Sequence, residues 1–85
     1  MTNIFYINAE EWGYDPMYYT THLRSDRSYE ETTRIIDQIF SVPNREIDIY
    51  EVIEAMKAIG YEEIDVEPGT PVIIINTYYD MDNKG

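Results

Sequence analysis

The sequence predicts one small α+β domain over residues 1–85: an antiparallel four-stranded sheet with a two-helix hairpin on one face, in the order ββααββ. Three observations carry that expectation. Apolar runs rich in β-formers stand near both ends, two stretches of helical periodicity fill the middle, and each opens on a capping signal. For 85 residues a single domain is expected, and the 44% apolar content, with nine tyrosines, is enough to fold a core.

Ile4-Phe5-Tyr6-Ile7 is a continuous apolar run, read as a strand over about residues 3–8, buried on both faces and central in the sheet. The following 8–16 stretch carries Gly13, Asp15 and Pro16 as breakers and reads as a loop. Its Trp12 and Tyr14 suit an aromatic contact patch, or Trp12 simply caps the core. Residues 17–23 alternate as a second strand, with Met17, Tyr19, Thr21 and Leu23 on one face and Tyr18, Thr20 and His22 on the other. His22 is the sole histidine and cysteine is absent, so no zinc site of common type can form; a solvated or hydrogen-bonded role is expected.

Ser28-Tyr29-Glu30-Glu31 is an S-x-x-E capping box and starts a helix over about residues 29–41. Ile35, Ile36, Ile39 and Phe40 form its apolar stripe, and Val42-Pro43 ends it, because a residue before proline is pushed out of the α region. The second helix, about 49–59, carries a D-x-x-E box in Asp48 and Glu51 and a staple between Ile47 and Val52. Ile49, Val52, Ile53, Met56 and Ile59 line one face, and Gly60 fits the left-handed residue that follows a helix. Glu54 and Lys57 can pair three residues apart.

The remaining strands are expected over about 61–66 and 71–79 as a hairpin. Alternation puts Ile64 and Val66 inward and Glu63, Asp65 and Glu67 outward as an evenly spaced row of carboxylates. Pro68-Gly69 suits the centre of a type II turn, and Val72–Tyr79 returns as a long apolar strand. The most apolar strands, the first and last, are expected at the centre of the sheet. The second and third are then edges, and a charged edge strand also resists edge-to-edge aggregation.

The charge bounds the partners. Net charge is −11, with seven acids and four arginines in residues 1–45 but ten acids and two lysines in residues 46–85. Such a field repels nucleic acid and attracts basic proteins or cations, although solubility alone can also account for it. Between Glu46 and Glu67 eight acids face one lysine. The opening residues lack the basic flank and long apolar core of a signal peptide, no run reaches membrane-spanning length, and cysteine is absent. The expected location is the cytoplasm, a host's if the chain is viral. No phosphate loop, H-E-x-x-H, G-x-S-x-G or His/Cys pair occurs, so neither enzyme activity nor a cofactor is expected. Asp80-Met81-Asp82-Asn83-Lys84-Gly85 echoes an EF-hand loop but places Lys84 at the third ligand position and has no closing glutamate; no metal is expected.

A very acidic, cysteine-free, tyrosine-rich chain of this size resembles the small phage-encoded inhibitors that mimic DNA, among them anti-CRISPR, antirestriction and uracil-DNA glycosylase inhibitor proteins. Locally, Ile73-Ile74-Ile75-Asn76-Thr77-Tyr78-Tyr79-Asp80 is similar to a strand of the glycosylase inhibitors, while the order of elements departs from theirs. The resemblance implies a partner that is a basic nucleic-acid-binding protein, such as a host nuclease, CRISPR effector or repair enzyme. No direct contact with nucleic acid or membrane is expected. The expected charged face is Glu51, Glu54, Glu63, Asp65 and Glu67, with Tyr50 and Tyr61 as aromatic contacts. The alternative is a regulatory or assembly module that binds a protein partner through an apolar patch or sheet edge, with a homodimer through Tyr18, Tyr78 or Tyr79 as one form.

Overall fold

Alternation along the first strand decides which side of the sheet the helices cover. The structure, a computed structural model, describes residues 2–12, 17–41 and 49–80. In β1 (Asn3–Trp12), Phe5, Ile7 and Ala9 are buried while Ile4, Tyr6 and Asn8 lie partly exposed on the other face. The next strand, β2 (Met17–Ser25), repeats the pattern with Thr21, Leu23 and Ser25 buried. Two helices follow, α1 (Tyr29–Phe40) and α2 (Ile49–Ala58), then a short β3 (Glu62–Ile64) and β4 (Ile73–Asp80). The result is a small α+β domain with two helices and a four-stranded sheet.

The sheet is mixed, which corrects the expectation of a purely antiparallel one. Its order is β3-β2-β1-β4; β2 is antiparallel to both its neighbours, while β4 runs parallel to β1, with Phe5 opposite Ile73 and Asn8 opposite Asn76. First and last strands are thus parallel neighbours with both helices on the route between them, a βαβ-like arrangement. It follows that β2 is central and β4 is an edge, the reverse of the expected placement. The expected hairpin between β3 and β4 is absent because residues 65–72 are longer than the two-to-five-residue loop that hairpins use, and they carry the chain from one sheet edge to the other. β1 also runs further than expected. Glu10 and Glu11 pair with Tyr18 and Met17, so ladder pairing overrides the weak strand propensity of this acidic stretch.

Local signals place the helices. At the start of α1 the Glu31 N–H donates to Ser28 Oγ at 3.1 Å and the Ser28 N–H donates to Glu31 Oε1 at 3.3 Å, completing the capping box. The Asp48 cap, the Ile47 staple and the Val42-Pro43 stop lie outside the described residues. α2 ends in a Schellman motif: Gly60 N–H donates to Lys57 O and Tyr61 N–H to Met56 O, with Gly60 at φ 109°. Ile59, expected on the buried face, lies past the end of α2 and is 46% exposed. Gly69 at φ 89° and the Thr70 N–H to Glu67 O bond form the expected turn.

One apolar cluster holds the layers together. Phe5, Ile7 and Leu23 of the sheet meet Ile36 of α1 and Ile49, Val52, Ile53 and Met56 of α2. Burying each large side chain contributes about 1.5–3 kcal/mol. Because this cluster occupies a single sheet face, the sides of the helices turned away from it are free to carry the acids.

Candidate acidic contact site

Lys57, in the last turn of α2, ties the acids of the helix to those of the strand. Its Nζ stands 3.4 Å from Glu54 Oε2 and 3.4 Å from Glu63 Oε1. α2 and β3 therefore share one acidic rim, with a single lysine between them. The ammonium is held above its ordinary pKa, first by the charge and hydrogen bond of Glu54 and then by Glu63.

Glu63 faces the opposite way to the sequence expectation. β3 pairs with β2 so that Ile64 lies opposite His22 and Glu63 opposite Leu23. A one-residue change of register exchanges the two faces of a strand, so Glu63 falls on the helix side of the sheet and Ile64 on the other. There Thr21 Oγ1 donates to Glu63 Oε2 at 2.5 Å and the Tyr19 hydroxyl donates to the same oxygen at 3.1 Å. These contacts, the Thr21 hydroxyl above all, hold the Glu63 carboxyl below the usual carboxylate range, with Tyr19 and Lys57 adding to the effect and partial burial opposing it. Tyr19 is pushed up in turn, first by burial and then by its hydrogen bond to Glu63. Sequence reasoning missed Tyr19 and Thr21 here, although their spacing of two already placed them on one strand face.

The other expected contact residues divide. Tyr50 is 47% exposed and its ring lies 4.8 Å from that of Tyr19, so it extends the same rim. Glu51 and Glu54 are exposed on α2. Asp65 and Glu67 are also exposed, but they lie beyond the end of β3, so the expected evenly spaced strand row does not form. Tyr61 is the clearest correction. It is only 3% exposed and packs on Phe5 with ring centroids 6.3 Å apart, and its hydroxyl meets Thr32 Oγ1 at 2.8 Å. Its location directly after a helix end, where a residue folds back onto the last turn, explains why it serves the core instead of the surface.

Among the described cations, three of four are engaged by the chain itself. Arg24 pairs with Glu62 across β2 and β3, and Lys57 with Glu54 and Glu63. Arg27 Nη2 donates to Ile59 O at 2.8 Å while its guanidinium lies 4.8 Å over the Tyr61 ring. An open cleft of about 710 Å³ has Arg24, Asp26, Arg27, Glu31 and Glu62 in its lining, but its arginines already have these partners. His22 stacks on Tyr6, centroids 5.0 Å apart, outside the acidic rim.

Among the described residues no group of three His, Asp or Glu side chains could hold a metal ion, and no helix is long and apolar enough to cross a membrane. Tyr14 and the EF-hand-like residues 81–85 lie outside the described residues, and the contacts of Trp12, Tyr78 and Tyr79 are not among those the structure describes. No protein-family model, curated protein or solved structure matches the chain.

Proposed function

We propose that this chain is a non-enzymatic binding protein whose acidic rim occupies the basic nucleic-acid groove of a protein partner and blocks it, as a DNA-mimicking inhibitor does. The observation that carries the reading is the junction at Lys57, where carboxylates from α2 and β3 adjoin. Engagement of Arg24, Arg27 and Lys57 with Glu62, Ile59 O, Glu54 and Glu63 also supports it, because those cations are then directed away from the exposed Asp65 and Glu67, which stay open to an incoming basic surface. Carboxylates at that surface would pair with the Lys and Arg that otherwise hold phosphates, and Tyr50 would supply an aromatic anchor.

The test uses the immobilised full chain with nuclease-treated bacterial lysate. Retained proteins should be nucleic-acid-binding enzymes, should elute at raised salt, and should be displaced by added double-stranded DNA. A variant with Glu51, Glu54, Asp65 and Glu67 changed to their amides should retain none of them while melting like the parent. Undiminished retention by that variant, or indifference of the complex to both salt and DNA, overturns the reading. Glu63 is left in place because the fold uses it.

A further inference from the structure

We infer that β4 is a self-association edge through which two copies of this chain join their sheets into one. β4 has β1 on one side and, among the described residues, no strand on the other, so a row of backbone N–H and C=O groups faces outward along Ile73–Asp80. An edge of that kind accepts another strand unless something blocks it.

The two edges of this sheet are built differently. β3 is three residues long, carries Glu62 and Glu63, and continues into Asp65 and Glu67, all of which discourage pairing. β4 is eight residues long, and from Ile73 to Tyr79 it has no charge, proline or glycine. Ile74 stays 57% exposed on the face away from the helices.

Charge selects the occupant. On a chain of net charge −11, a like-charged copy is repelled least along an uncharged stretch, and Ile73–Thr77 of β4 is one, with Asp80 and the Glu10 and Glu11 of neighbouring β1 confined to the strand's far end. A basic foreign partner is drawn instead to the acidic rim on the far edge. With strands about 4.8 Å apart, β3 lies three spacings from β4, roughly 14 Å, so pairing through β4 sets the two acidic edges about 30 Å or more apart. That exceeds the Debye length of about 8 Å at physiological salt, so their repulsion is largely screened. A two-fold axis normal to the sheet pairs the two β4 strands antiparallel and brings residues of like face together. Centred on Asn76, it sets Ile74 opposite Tyr78 of the other copy. Because the free edges left by such a dimer are the acidic ones, association stops at two.

Sedimentation of the full chain over a concentration series up to about 1 mM tests this. The mass should rise from 10.1 kDa to twice that value and no further, and raising salt from about 0.05 to 0.5 M should leave the dimer intact or tighten it. Amide exchange supplies the structural readout. In the monomer, protection along Ile73–Tyr79 alternates, since only the amides facing β1 are paired; in the dimer the intervening amides become protected as concentration rises. Ile74→Lys with Asn76→Lys should weaken the dimer at least about tenfold even though it lowers the net negative charge, whereas Ile74→Thr should retain it. Both variants are checked by thermal melting. Monomer at every concentration, association beyond two, or a dimer that leaves the β4 alternation unchanged overturns the inference.

Discussion

The hydroxyls of Tyr61 and Thr32 meet at 2.8 Å inside the core, joining the segment just past the end of α2 to the first turn of α1. Both side chains are almost wholly buried. Tyr61→Phe keeps the ring and its contact with Phe5 but takes away the partner of the Thr32 hydroxyl, and should cost about 1–3 kcal/mol by urea denaturation. Combining Tyr61→Phe with Thr32→Val should cost less than the sum of the single changes, since the pair is then removed together. Additive costs would show that the two hydroxyls do not act as a unit.

Arg27 fastens the same corner from outside. Its guanidinium donates to Ile59 O at 2.8 Å, lies near Ser25 Oγ at 3.4 Å and covers the Tyr61 ring. A cation at a helix C-terminus is favourable, and the planar fork reaches several acceptors that an ammonium cannot. Arg27→Ala should lower stability by about 1–2 kcal/mol, and Arg27→Lys should recover less than half of that, measured by equilibrium unfolding. Gly60→Ala beside it should cost about 1 kcal/mol. A Cβ there meets Arg27 Nη1 at an ordinary 3.7 Å, so the strain comes from φ +109° and not from crowding.

Local chemistry was legible in the sequence because short-range signals are answered by short-range structure. Ser28 and Glu31 form the capping box, Gly60 the left-handed helix end, and Pro68-Gly69 the turn, each within a few residues. Strand partnership was not legible in the same way. The apolar run in β4 suits any buried or neutral strand, and its partner β1 is far away in sequence: Asn8 Nδ2 donates to Asn76 Oδ1 across 68 positions. The site suffered from the parity of a three-residue strand. Ile64 and Glu63 gave a plausible inside and outside, but pairing with β2 set the opposite parity, and Glu63 became part of the fold's own hydrogen bonding. Glu54, Asp65 and Glu67 stayed outside as expected, because helix periodicity and polar loops do not depend on register.

Glu63 makes stability depend on acid. Its carboxyl is held below the usual range, chiefly by the Thr21 hydroxyl, so the folded state binds this proton less readily than the unfolded chain. Its contribution is therefore fully present above the ordinary glutamate value of about 4.3 and is lost as pH falls through the lower folded value. The melting temperature should drop over that acidic interval, and Glu63→Gln should reduce the drop while lowering stability at neutral pH. Thr21→Val should move the parent's transition toward the ordinary glutamate range. An acid profile identical in parent and Glu63→Gln would show that other carboxylates set it.

Lys57 titrates in the opposite sense and at the other end of the scale. Its folded value is raised, mainly by Glu54, so what it contributes is present below the ordinary lysine range and is lost as pH rises through the raised value. The ammonium is exposed and screened, so Lys57→Met should shift the melting temperature little at neutral pH. It should instead alter binding, because it removes the one cation seated between Glu54 and Glu63. A fluorescent Lys/Arg-rich peptide should bind the variant more tightly than the parent at low salt, and the two affinities should converge as salt is raised. Asp65→Asn with Glu67→Gln should weaken the same peptide without moving the unfolding midpoint, whereas Glu63→Gln should do the reverse. The three variants thus separate acids that hold the fold from acids free to meet a partner. Equal peptide affinity across all of them would mean that the rim at Lys57 is not where basic partners bind.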